Sequence, residues 1–396
     1  MKKLFTLFLF IPVLASAQNA KLKVSPADSI EAVKALDFYT KEIADYPNEA
    51  DYYYERGHAK ITLKDFNGAL LDLNKAVSLK INFDRAYVDR GRLKDVVGNY
   101  EGAIADYDQA ISIKPTAVAY YNRGLANLAL NKPAAADFDK ALALDANYKN
   151  AYIERAQIKQ QAGDNTGAIA DYSAAIAIDP KNYDAYINRA QAKADIGDLK
   201  GAVADYAIAI KLGPADADLY FSSGNAKLNS KDNAGAITDY NQAILLDPKN
   251  ALAYYNRAIA LDNLGKSASA IADYTVFIKY NNVNGKAYLK RGNDYLKTSN
   301  FKNALADYNK SLELSPNSAE VYFYRAFCKR NLKDYQGAIN DYSRVIALDP
   351  KNSDAYNNRG FINHLLKNDA AACPDFKKAM MLGNKAATEN ALHFCR

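Results

Sequence analysis

Nine arginines recur along the chain at a nearly fixed interval: Arg56, Arg90, Arg123, Arg155, Arg189, Arg257, Arg291, Arg325 and Arg359. Most intervals are 34 residues, two are 33 and 32, and Ser223 fills the one vacant slot. An aspartate stands sixteen residues after each slot, from Asp72 to Asp375, with Asp137 two residues early. Fixed guanidinium and carboxylate groups suit two chemistries, a charged track for a substrate or a structural ion pair. Because the spacing follows the repeat itself, the structural reading is preferred. A planar guanidinium takes a carboxylate bidentately. The expectation is a ladder of pairs such as Arg189–Asp205, formed within a unit or to the next one. Asp239, which lacks an arginine of its own, has Arg257 of the following unit as its candidate partner.

Other chemistry is sparse. His58, His364 and His393 lie far apart without metal-ligand spacing. No Gly-rich phosphate loop follows a strand pattern. The expectation is a chain with no catalytic residues, no metal and no cofactor, and hence no enzyme. Of three cysteines, Cys328 takes a small-residue core slot. Cys373 and Cys395 are 22 residues apart, and an exported protein permits a bridge between them as well as two free thiols.

The elements that must carry these groups are legible from period. Tyrosine stands three before every slot, in phrases such as AYYNRG at 119 and AYINRA at 185. Apolar or small residues follow three and seven after it, which is helical spacing. A second phrase, GAIADY at 102 and 167 or GAITDY at 235, opens another helical stretch with apolar residues at offsets 13, 14, 17, 20 and 21. GD and GN pairs break the chain between them. Pro180, Pro248 and Pro350 close the second helix, often within LDPKN. Pro374 falls where other units are helical and is expected to kink or delay that helix. Neither helix can bury its apolar face alone, so the units must stack.

The pattern resembles the tetratricopeptide repeat over 50–383, as ten units. Gly124, Ala134 and Ala141 match the family's small close-packing positions, while tyrosine replaces its usual tryptophan and the recurring arginine its usual leucine. The resemblance implies an all-α fold, an α-solenoid in which helix-turn-helix repeats stack into a right-handed superhelix whose first helices line an inner groove. Ala35, Leu36, Tyr39 and Ile43 read as a solitary second helix within a leader at 18–49, and 384–396 as a capping helix.

Two places on the first helices suit binding. Two before the arginine the residue is apolar in nine of ten units, among them Tyr54, Tyr121, Phe221, Tyr255 and Phe323. These either pack against the neighbouring first helix or anchor an extended peptide. One before the arginine stand Asn122, Asn188, Asn256 and Asn358, interrupted by other residues such as Glu154. In some family members asparagines here hold the backbone of a bound segment, and an amide both donates and accepts. The expected role is a scaffold or adaptor binding an unidentified protein or extended peptide. The alternative is an envelope protein holding cell-wall glycan or another non-protein ligand.

Bulk properties narrow the class. Lys2 and Lys3, an apolar run from Leu4 to Leu14, and Ala15-Ser16-Ala17 have the layout of a cleaved export signal over 1–17. The expected address is therefore periplasmic or secreted, with no membrane insertion of the mature chain. Loss of the two lysines takes 51 basic residues to 49 against 45 acidic ones, a formal charge of +4. The bases are interleaved with acids, so no basic stripe for nucleic acid exists.

Overall fold

The computed structural model describes residues 26–395, so the export signal expected at 1–17 lies outside the described residues. The described residues contain 22 α-helices and no strand. Two compact units divide between Ile196 and Gly197. The first holds α1 (Pro26–Asp45), α2 (Ala50–Thr62), α3 (Phe66–Leu79), α4 (Asp84–Val96), α5 (Tyr100–Ile113), α6 (Ala117–Ala129), α7 (Ala135–Leu144), α8 (Lys149–Gln161), α9 (Asn165–Ile178) and α10 (Tyr183–Asp195). The second holds α11 (Leu199–Leu212), α12 (Ala217–Asn229), α13 (Asn233–Leu246), α14 (Ala251–Asn263), α15 (Ser267–Tyr280), α16 (Gly285–Lys297), α17 (Phe301–Leu314), α18 (Ala319–Asn331), α19 (Tyr335–Leu348), α20 (Ser353–Leu365), α21 (Asp369–Met381) and α22 (Lys385–Phe394). Within each unit every helix packs on the next in sequence, which is the all-α solenoid expected of stacked pairs.

The punctuation of the sequence is capping chemistry. Before most second helices an aspartate or asparagine accepts from the backbone N–H three residues on, as Asp164 does from Gly167 at 2.8 Å. That glycine opens the GAIADY phrase for a steric reason. A Cβ on Gly167 would stand 2.2 Å from the Asp164 carboxylate. Where Asn303 or Ala371 takes the place, the capping bond lengthens to 3.3 Å. The LDPKN phrase works at the other end. Asp179 accepts from the Lys181 N–H at 3.1 Å across the turn, and Asn182 caps α10 by accepting from Ala185 at 2.8 Å. Pro374 sits inside α21 without delaying its start, since Asn368 caps that helix at the usual offset.

The second helices drive one aromatic ring each into the core, except α3, where Leu73 takes the place. Tyr107, Tyr172, Tyr240, Tyr274, Tyr308 and Tyr342 are almost fully buried, as are Phe138 and Phe376 in their places. Small residues on the first helix leave room for them. A Cβ on Gly91 would lie 2.7 Å from the Tyr107 ring, and one on Gly124 2.8 Å from Phe138. Burial of these large apolar side chains, repeat after repeat, is the main favourable term holding the stack. Ala35, Leu36, Tyr39 and Ile43 are half-buried on α1, which packs against α2 and brings the Tyr39 and Tyr52 rings within 6.0 Å. No helix among the described residues is long and apolar enough to cross a membrane.

Candidate functional site

The arginine ladder forms within the repeats. In the eight repeats whose two helices lie in the same compact unit and carry the arginine, it grips the aspartate of its own second helix through Nε and Nη2. Arg257 does so at 2.7 Å on both arms and Arg155 at 2.8 and 2.6 Å. Arg189 and Asp205 fall in different compact units. The aspartate side chains of those eight pairs are 4–9% exposed and the arginines 15–24%. Burial alone would push Asp171 upward, but hydrogen bonds from Arg155 and Lys159 outweigh it and hold the carboxyl below its ordinary value.

The third arm of the guanidinium does something the spacing did not announce. Nη1 reaches back to the second helix of the preceding repeat: Arg90 to Asn74, Arg155 to Asp139, Arg257 to Asn241, Arg291 to Thr275 and Arg359 to Ser343, at 2.7–3.0 Å. One side chain thus joins three helices in two repeats. The face of each guanidinium also lies 5.2–5.8 Å from the ring of the tyrosine three residues earlier, from Tyr53 to Tyr356. The recurring tyrosine is the platform on which the fork is held. With two arms on the aspartate in all eight pairs and the third engaged in every one but Arg56, the arginines are not free to form a substrate track.

Asp239 does not take Arg257, which is spent on Asp273 and Asn241. Instead the Ser223 hydroxyl donates to Asp239 at 2.6 Å and Lys227 pairs with it at 2.6 Å. Lysine four after the slot is a second support in other repeats too. Lys60, Lys94, Lys159 and Lys329 reach Asp72, Asp106, Asp171 and Asp341 at 2.7–2.8 Å.

The nine binding candidates separate into two groups. The five aromatics are used by the fold itself. Tyr121 is 7% exposed and lies between Phe138 at 5.8 Å and Tyr148 at 5.0 Å. Tyr255 packs on Tyr274 at 5.7 Å and Phe277 at 4.7 Å, Phe221 on Tyr240 at 6.0 Å, and Phe323 on Tyr342 at 5.5 Å. Tyr54 packs on Phe83 at 4.9 Å, and its hydroxyl donates to Asp89 at 3.1 Å. Their packing partners are mostly rings of their own repeat's second helix, not the neighbouring first helix, because the small residues at the arginine-adjacent place bring those rings close.

The asparagines are different. Asn122, Asn188 and Asn358 make no hydrogen bond to any described residue, and the Asn122 Nδ2 is buried without an acceptor. Asn256 donates to Asn225 at 2.8 Å, which also accepts from Tyr240. Asn122 and Asn188 hold the same repeat place on first helices of the first compact unit, and Asn358 holds it on one of the second.

The remaining chemistry-bearing residues are structural or isolated. Cys373 and Cys395 are joined as a disulfide that ties α21 to the end of α22. Cys328 is buried, and burial pushes its thiol up to about 12, far from a reactive thiolate. His364 bonds Asp369 at 2.6 Å and stacks on Phe394 at 3.8 Å. Among the described residues no group of three or more His, Cys, Asp or Glu side chains could hold a metal.

Comparison with protein families agrees with this architecture. Tetratricopeptide-repeat families match residues 50–80, 88–150, 157–197, 224–265, 285–318, 307–340 and 330–367. No curated protein matches the chain. Among solved structures, MamA is similar at 26% identity and TM-score 0.40, over 42% of this chain and 96% of its own. A tetratricopeptide repeat protein from Parabacteroides merdae ATCC 43184 is similar at 21% and 0.43, over 62% of this chain and 98% of its own. YrrB, described as a TPR protein with an unusual peptide-binding site, is similar at 20% and 0.44, over 46% and 95%. With the repeat period, the paired helices and the family matches in agreement, the chain belongs to the tetratricopeptide-repeat proteins.

Proposed function

We propose that the protein is an exported, non-enzymatic scaffold that holds an extended segment of a partner protein along its first helices. The observation that carries this reading is the uncommitted amides on first helices of the first compact unit. Asn122 is buried and Asn188 half-buried on α6 and α10, yet neither side chain bonds to the described chain. An amide left without partners in a partly dry wall is costly to the fold alone and well suited to a peptide backbone, which offers both a donor and an acceptor. The aromatic residues beside them shape the wall from behind. Export is read from the first seventeen residues of the sequence.

The test is capture of binding peptides by the full mature chain from an immobilised library of extended hexapeptides. Wild type should retain a defined set, and a double variant Asn122→Ala, Asn188→Ala should lose at least tenfold in affinity with its thermal midpoint unchanged. Equal binding by the double variant would remove these asparagines from the site.

A further inference from the structure

Glu154 stands on α8 in the same place, one before the arginine, that asparagine occupies on α6 and α10. Its side chain is 9% exposed, and no described residue bonds to it or pairs with it. The other carboxylates buried this deeply in the same compact unit are all held. Asp72, Asp106 and Asp171 each have an arginine and a lysine, and Asp137 has Arg123 and Asn127. Among the described residues of this unit only Asp95 comes near it, with Oδ1 buried without a partner, but its Oδ2 accepts from Tyr107. A buried carboxylate with no partner at all is retained at a cost that the fold does not repay.

The surroundings say what is missing. On the preceding first helix Asn122 is 8% exposed, with its Nδ2 lacking an acceptor. Tyr121 beside it is buried and feels the Glu154 charge, as does Tyr172 on α9, so both phenols lie within electrostatic reach of the carboxyl. Both are pushed upward by burial and stay protonated, so neither compensates the charge. The wall therefore presents an acceptor without a donor and, one repeat earlier, a donor without an acceptor. The complement of a desolvated carboxylate is a cation, and that of a free amide N–H is a carbonyl oxygen.

We propose that Glu154 sets the specificity of the groove by taking the basic side chain of an extended peptide, whose backbone carbonyl accepts from Asn122. This rests on the reading that the first helices hold a peptide, and it adds a demand for positive charge at one position. The ligand class is a lysine or arginine side chain, and the two are separated by the arms of the test. Burial raises the Glu154 carboxyl to about 7, so arrival of the cation draws off a proton in part of the population.

The experiment uses the full chain and a hexapeptide library, acetylated and amidated, with one scanned position fixed as lysine, arginine, norleucine or glutamate. Wild type should retain lysine or arginine at one position and lose about tenfold in affinity for the norleucine analogue of the best sequence. E154Q should bind the lysine, arginine and norleucine peptides alike, and E154D should restore part of the preference. The thermal midpoint of E154Q, equal to or above wild type, shows that the loss is not unfolding. Peptides retained without a basic preference, or a preference that survives in E154Q, would overturn this inference and leave the peptide-groove reading standing. No peptide retained by wild type would overturn that reading and this one with it.

Discussion

Substituting Arg257 by alanine is the most informative perturbation of the ladder. It removes two bonds to Asp273 and one to Asn241, each 2.7 Å, and a guanidinium 5.4 Å from the Tyr254 ring. Asp273 is 6% exposed, and the place four after the arginine is Leu261, so no lysine remains to hold it. Stranding one partner of a buried pair costs on the order of 3–5 kcal/mol. Arg325→Ala makes the same deletion where Lys329 still pairs with Asp341 at 2.8 Å. Its cost should fall to about 1–2 kcal/mol, the value of lost hydrogen bonds with the charge still compensated. Both sites lie in the second compact unit. The assay is native-state hydrogen exchange read by mass spectrometry over α14–α15 and α18–α19, because stacked repeats open locally and a single midpoint averages them. Arg257→Ala should lower protection of its helix pair by at least 1 kcal/mol more than Arg325→Ala lowers its own. Adding Asp273→Ala to Arg257→Ala should recover part of the loss. Equal losses at the two sites, or no recovery in the double variant, would refute the reasoning.

Three further outcomes are expected. The raised Glu154 carboxyl makes folding less favourable as pH climbs from the ordinary glutamate value to about 7, so E154Q should melt higher than wild type at pH 8 and the same at pH 4; a shift from 4.5 to about 7 corresponds to about 3 kcal/mol at most. Asp171 has the opposite sign, with its carboxyl held low, so its contribution is complete above the carboxylate range and disappears as pH falls below about 4; acid titration of Asp171→Asn against wild type should show the two curves converging there. Reduction of the Cys373–Cys395 bond, which closes a separation of 22 residues, should lower protection of α22 by roughly 3 kcal/mol and leave α12–α15 untouched in hydrogen exchange.

Much of the fold was legible because the repeat writes its own geometry. The Asp and Asn before each second helix, the glycine three residues on and the LDPKN turn each name a particular backbone bond, and the helices begin and end on those bonds. The Arg–Asp pairing was legible for the same reason, but its third arm was not. The place two after the aspartate holds Asn74, Asp108, Asp139, Ser173, Asn241, Thr275, Asn309 or Ser343, so no single letter marks it throughout. The shared property is a short side-chain oxygen, and reading for acceptors instead of identities would have found it. Asp239 shows the converse error. With its arginine absent, the substitute came from Lys227 on its own repeat, a neighbour already present elsewhere in the pattern.

The binding candidates were legible only as a stripe. Whether an aromatic residue two before the arginine faces a guest or the core depends on how closely the second helix approaches. That distance is set by glycines and alanines on the other side of the contact. Tyr121→Ala or Tyr255→Ala would therefore remove core packing, at about 3–5 kcal/mol for a buried aromatic, and would confuse a binding assay. Glu154 was visible in the sequence merely as a break in the asparagine row. Its meaning required knowing that it is buried without a partner.

The central claim is that the first helices form a wall left open for a peptide while the second helices and the arginine ladder serve the fold. It is tested most directly by hydrogen exchange of the full chain with and without a saturating hexapeptide selected from the library. Bound peptide should add protection on α6, α8 and α10, around Asn122, Glu154 and Asn188, with α5, α7 and α9 unchanged. Protection concentrated on those second helices, or none on the first, would contradict it.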